Sequence, residues 1–221
     1  MKFYKDTHKY LHNGEPYLSV SDFRDQFKEP FPKRTVAEAV AKKKDKDPDE
    51  ILNEWNMNRD VSIDYGNSIH KALELYIKYG KIHKLPHIKE VISQFKEKYD
   101  RTKIYPEIIA YNTSIRLSGT LDALLETSKG NFSIIDYKTN YELSKSQYKP
   151  YKSPLEHLTI SKLNDYRIQL SLYKWLIEQY NHKVDKLILE HWNGEKLKTI
   201  ELEPIKPIKV AKLIKKRKQQ L

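Results

Sequence analysis

The sequence predicts a mixed α/β (α+β) domain whose helices lie on the faces of a sheet. Three observations carry that expectation: a helical period through most of the first half, a switch to two-residue alternation near residue 104, and a closing pattern of helix then hairpin.

Taken in order, FYKDTHKYLHNGEPYLSVS places Asn13-Gly14 between alternating segments, which signals a hairpin. TVAEAVAKKK opens with Thr35 and has Glu38 three residues on, a capping-box pattern that starts a helix. Residues 48–79 keep a helical period, with a break expected near Asp64 to Gly66, and a further helix follows Pro86. Strands are expected at 104–112, 115–127 and 132–138. A Lys-, Tyr- and Ser-rich loop then runs from Asn140 to Leu158, followed by a helix at 163–181 and a hairpin around Asn193-Gly194.

The 221 residues suit one domain at 1–205, with a helical part at 20–103, a sheet-containing core at 104–205 and a basic tail at 206–221. No apolar run approaches the roughly 20 residues of a membrane span, and the N-terminus has neither a secretory core nor an Arg-rich, acid-poor transit composition. An intracellular, soluble (cytoplasmic) protein with no membrane association is expected. The chain has no cysteine, so thiolate zinc and iron–sulfur clusters are excluded and any metal must sit on oxygen and imidazole donors. The formal net charge is +11, and the tail KPIKVAKLIKKRKQQL holds seven Lys/Arg and no acid. Two readings of the tail stand side by side: a phosphate-contacting helix or arm, or an ordinary solvated terminus.

The stretch GTLDALLETSKGNFSIIDYKT reads as two strands around a turn. With Thr127 paired to Asn131 and Gly130 in the left-handed position, Asp122 stands opposite Asp136, and Lys138 shares their face. Like charges across a strand pair repel, so a cation between them is expected, and Asp122→Asn is expected to stabilise the metal-free fold while abolishing turnover. The alternative is a simple Asp136–Lys138 salt bridge at a strand end. On the helix GNSIHKALELYIKYG, Gly66, His70 and Glu74 fall at spacing four and share a face; His70 is a candidate imidazole ligand or an ordinary helix histidine. In NDYRIQLSLYKWLIEQY, Tyr166, Gln169 and Tyr173 form a stripe that is either amphipathic packing or a polar contact around Gln169.

Gly66-x-x-x-His70, Gly119-Thr120-Leu121-Asp122, Asp136-Tyr137-Lys138-Thr139 and Gln169-x-x-x-Tyr173, in this order, resemble the RecB-type branch of the PD-(D/E)XK nuclease superfamily. Within it, the sequence is similar to small stand-alone exonucleases of phage type and to the mitochondrial genome maintenance exonuclease. The resemblance implies a restriction-endonuclease-like αβββαβ core and one or two Mg²⁺ or Mn²⁺ ions. It implies metal binding by His70, Asp122, Asp136 and the Tyr137 carbonyl, with Glu107 reaching a second metal or its water. Lys138 would orient or deprotonate the attacking water. Gln169, Tyr173, Tyr166, Thr139 and Glu74 would contact nucleic acid or support the site. The phage-type likeness is also compatible with a virus-encoded protein.

Sixteen tyrosines, several beside lysines, could stack on unpaired bases while the lysines track phosphates, or could be plain composition bias. The expected partner is therefore DNA, single-stranded or at ends, and the expected activity a metal-dependent exonuclease. A structure-specific endonuclease, and an inactive nucleic-acid-binding or assembly module on a nuclease scaffold, remain open.

Overall fold

The computed structural model describes residues 1–4, 7, 9–140, 143 and 146–221. Lys2–Tyr4 (β1), Lys9–His12 (β2) and Glu15–Ser19 (β3) form an antiparallel meander. Its second turn puts Asn13 and Gly14 at φ 52° and 83°, the pair of left-handed residues that a tight hairpin needs. Ser19 ends β3 and caps Val20–Asp25 (α1), accepting the Asp22 amide at 3.0 Å.

Lys33–Lys44 (α2) follows. Its start differs from expectation: Pro32 occupies the cap position, and Glu38 pairs with Arg34 at 3.2 Å rather than closing a box with Thr35. Pro48–Tyr79 (α3) is capped by Asp47, begins with proline at its first position and stops at Gly80, φ 65°. The break expected at Asp64 to Gly66 is absent, and the helix continues unbroken. A helical glycine costs only about 1 kcal/mol, too little to interrupt hydrogen bonding when the following turns are buried.

Pro86–Tyr99 (α4) leads into Lys103–Asn112 (β4), Leu117–Ser128 (β5) and Asn131–Lys138 (β6), each within about two residues of the expected strand. The stretch expected as one long loop instead contains Ser146–Pro150 (β7), which pairs with Thr159–Ser161 (β8). Lys162–Glu178 (α5), Lys183–Trp192 (β9), Leu197–Leu202 (β10) and Pro207–Lys218 (α6) complete the chain.

The main sheet runs β1-β2-β3-β5-β6-β9-β10, with β4 on the other edge of β5. Pairing is antiparallel except β3 with β5 and β6 with β9. One face is covered by α1, α5 and α6, packing Phe23, Leu170 and Leu213 against Leu124 and Ile134. The other is covered by α3 and α4, packing Leu73 and Phe95 against Ala123, Ile135 and Tyr137. A small separate core of Ala37, Ala41 and Ile51 joins α2 to the first turns of α3. Residues 206–221 do not fray: Val210, Leu213, Ile214 and Arg217 are buried, and Arg217 donates to the Ile115 and Arg116 carbonyls at 2.9 and 3.1 Å. Among the described residues no helix is long and apolar enough to cross a membrane.

Candidate active site

The site lies where the sheet forks. One edge of β5 pairs with β4 over most of its length. The opposite edge pairs with β3 at Leu117 and Ser118 and with β6 from Ala123 onward, so Gly119 to Asp122 have no ladder partner on that edge among the described residues. Beyond Ile135, β6 leaves β5 and stays with β9 as far as Lys138 opposite His191. Asp122 stands on one prong, and Asp136 and Lys138 on the other.

Where backbone pairing stops, a side chain takes over. The Tyr137 amide donates to Asp122 Oδ2 at 2.8 Å, satisfying a donor that the lost ladder would otherwise orphan. Gly130 takes the expected left-handed position at φ 80°, but the expected Thr127–Asn131 pair needs correction: Ser128 pairs with Asn131, and an irregularity between Glu126 and Ser128 restores the register in which Ala123 faces Ile135. Asp122 and Asp136 are not a ladder pair, because pairing between β5 and β6 stops at Ala123 and Ile135, yet the two carboxylates remain within electrostatic reach. Leu121 and Leu124 both enter the core beneath α5, although strict alternation would separate them. The slip falls at Asp122, and across from it on β4 Glu107 adopts φ 56°, a strained value for a side chain of its size. In this setting Asp122 Oδ1 meets His70 Nδ1 of α3, 3.3 Å away.

Lys138 Nζ lies 2.6 Å from Asp136 Oδ2, 3.0 Å from the Tyr137 carbonyl and 4.8 Å from the centre of the Tyr166 ring. Asp136 is buried, and its Oδ2 has that ammonium as its ion-pair partner. The ammonium thus sits beside two groups, Asp136 and the Tyr137 carbonyl, that the resemblance assigns to a metal.

The charges set one another. Burial pushes Asp122 up, but His70, Lys138 and the Tyr137 amide outweigh it and hold the carboxyl down at about 2. Burial raises Asp136, and Asp122 adds to that rise against the opposing pull of Lys138. Burial lowers Lys138, yet Asp136 and Asp122 raise it overall; His70 is likewise raised by Asp122 against its burial.

Two glycines let elements approach. A Cβ on Gly119 would lie 2.5 Å from Tyr173 Cε1 and 2.8 Å from its hydroxyl, so α5 can press its tyrosine into the fork only over a glycine. A Cβ on Gly66 would lie 3.2 Å from Thr139 Oγ1, which fixes where α3 crosses the end of β6. Gln169 is within reach of the Tyr173 hydroxyl at 3.4 Å and accepts from Arg24 Nη1 at 2.8 Å. Tyr166 donates to Asn140 Oδ1. Glu74 is not drawn into the fork: it lies between Lys71 and Lys78, each 2.8 Å away.

Sequence reasoning did not single out Arg24, Asn140 or His191. His191 Nε2 contacts the Asn140 carbonyl at 2.6 Å, so Asn140 ties the exit of β6 to both β9 and α5. The one available signal was position, since Asn140 follows the Asp136-Tyr137-Lys138-Thr139 stretch directly. Arg24 and Gln169 are 145 residues apart, and nothing local links them.

Among the described residues no three carboxylates or imidazoles converge closely enough to enclose an ion. The donor chemistry nevertheless fits a hard divalent cation: two carboxylates within electrostatic reach of one another, one of them buried, beside a backbone carbonyl and an imidazole.

The family model of the PD-(D/E)XK nuclease superfamily matches residues 41–217, and the chain belongs to that superfamily. Its members are phosphodiester hydrolases that generally use divalent metals. No curated protein sequence matches the chain significantly. Among solved structures, the chain is similar to the protein SSO0001, with 16% identity, a TM-score of 0.41, and coverage of 92% of this chain and 76% of that one. It is also similar to a candidate exonuclease from Eubacterium rectale, with 8% identity, a TM-score of 0.39, and coverage of 92% and 77%.

Proposed function

We propose that the protein is a Mg²⁺- or Mn²⁺-dependent deoxyribonuclease, an exonuclease acting on single-stranded DNA or DNA ends. The observation that carries this reading is the fork itself, where the buried Asp136 carboxylate, Asp122, His70 and Lys138 come within electrostatic reach of one another. In this reading Asp122, Asp136, His70 and the Tyr137 carbonyl hold the cation, and Glu107 serves a second ion or its water. The bound ion would polarise a phosphoryl oxygen and make water more acidic.

The chain's own residues do the rest. Hydrolysis joins a water oxygen to phosphorus and breaks the bond to the departing sugar oxygen, which ends protonated. Lys138 supplies positive charge where the phosphoryl group gains negative charge and helps orient the water. Tyr166 and Thr139 steady Lys138 and the end of β6, while Gln169 and Tyr173 brace the fork from α5. The catalytic unit includes α6, whose Val210, Leu213 and Ile214 belong to the main core, so residues 206–221 are not a separate tail.

The test is digestion of end-labelled single- and double-stranded DNA with Mg²⁺, with Mn²⁺ and with chelator. Stepwise shortening that chelator stops and Lys138→Ala reduces at least a hundredfold is the expected result. Internal cuts without shortening would replace the exonuclease by an endonuclease. Tight binding with no cleavage in either metal would sink the hydrolase reading.

A further inference from the structure

A cleft of about 1010 Å³ opens between α1, the loop entering α2, and the start of α5. Its volume is at the top of the range of small-ligand pockets, enough for a length of chain. Phe31 lines it with 53% of its surface exposed, although aromatic rings of this size are usually covered. Pro30 and Pro32 flank Phe31, fixing their own backbone angles and restricting the residue between them, so the ring is presented at low entropic cost.

The charges around the cleft are unequally matched. Asp25 is paired with Arg24 at 2.7 Å and Lys28 at 2.9 Å; Asp165 with Lys28 at 2.9 Å and the Tyr151 hydroxyl at 2.7 Å; and Glu29 with Lys152 at 3.0 Å. Lys149 and Lys162, both exposed on the cleft wall, have no ion-pair partner among the described residues. The charge left over is therefore positive. The cleft also adjoins the fork: Asp165 on its wall precedes Tyr166, whose ring lies under Lys138, and Arg24 joins Asp165 to Gln169.

We infer that this cleft holds an unpaired stretch of the nucleic-acid substrate, with a base stacked on Phe31 and phosphates on Lys149 and Lys162. This rests on the nuclease reading and adds to it the place where an unpaired strand lies and the residues that hold it. An exposed ring beside unpaired lysines matches the chemistry of a single strand, whose bases offer stacking faces that a duplex hides.

The experiment measures binding of labelled oligothymidylate, and of an abasic oligomer of equal length, in chelator so that neither is cut. Wild type binds the base-bearing strand more tightly, and Phe31→Ala reduces that preference by roughly tenfold to a hundredfold, while Phe31→Tyr keeps it. Lys149→Ala with Lys162→Ala leaves the preference intact and flattens the salt dependence by about 1.4 in slope, at about 0.7 per phosphate of a single strand. A preference indifferent to Phe31→Ala overturns the inference, as does self-association of the free protein that the same substitution abolishes, which would make a second copy the occupant. A companion digestion in Mn²⁺ separates the two readings. Cleavage with a Phe31-independent preference removes the cleft and leaves the nuclease; a Phe31-dependent preference without cleavage supports the cleft and removes the nuclease.

Discussion

Replacing Asp122 by Asn in the metal-free protein tests the electrostatics of the fork. From pairing alone, the substitution should relieve repulsion and stabilise the fold. The structure reverses that sign. Asp122 accepts the Tyr137 amide, faces His70 and feels Lys138, and together these outweigh burial to hold its carboxyl at about 2. Against an unfolded value of about 3.9, and at 1.36 kcal/mol per unit, ionised Asp122 contributes roughly 2–3 kcal/mol. Because the folded value is depressed, this contribution is present above about pH 4 and is lost as pH falls through about 2. His70, whose value is raised, contributes below about pH 6.5, and its share is lost as pH rises through its folded value. The window for measurement is therefore pH 4 to 6.5. Urea denaturation in chelator at pH 5.5 should show Asp122→Asn less stable by about 2–3 kcal/mol, shrinking toward pH 2. An Asp122→Asn protein as stable as wild type at pH 5.5 would show that repulsion between the two acids prevails, and would refute the reasoning.

Gly119→Ala should cost about 1–3 kcal/mol in urea denaturation, because its methyl group would meet the buried Tyr173 ring at 2.5 Å, and Tyr173→Leu in the same chain should recover part of the loss; an undiminished stability would mean the fork has slack. In α6, Leu213→Ala should cost about 2–5 kcal/mol, so removing residues 206–221 would report on folding rather than on phosphate contact. The sound test of the tail's charge is Lys212→Gln with Lys215→Gln and Lys218→Gln, which leaves the buried face alone. If these lysines touch duplex phosphates, the salt slope of binding falls by about 0.9 for each; an unchanged slope leaves α6 as a packing element.

By itself, the sequence determined what depends on short spacing and composition. Alternation and turn residues place β4, β5 and β6, the glycine at 130 marks the turn between β5 and β6, and the two-residue spacing brings Lys138 beside Asp136. The absence of cysteine restricts any metal to oxygen and imidazole donors. Helical periodicity likewise marks α3 but overstates the power of Gly66 to break it, because one glycine is a small penalty against the burial of the turns that follow.

Only the tertiary structure decided how those elements meet. The fork exists because β5 exchanges β6 for β3 as its neighbour, a choice made by strands a hundred residues apart. The slip at Asp122, its contact with His70, the Arg24 bond to Gln169 and the cleft beside Phe31 all follow from that packing. Period and propensity describe a residue relative to its near neighbours along the chain. The field at a carboxylate, and the space beside a ring, are set by whatever residues folding brings within a few ångströms.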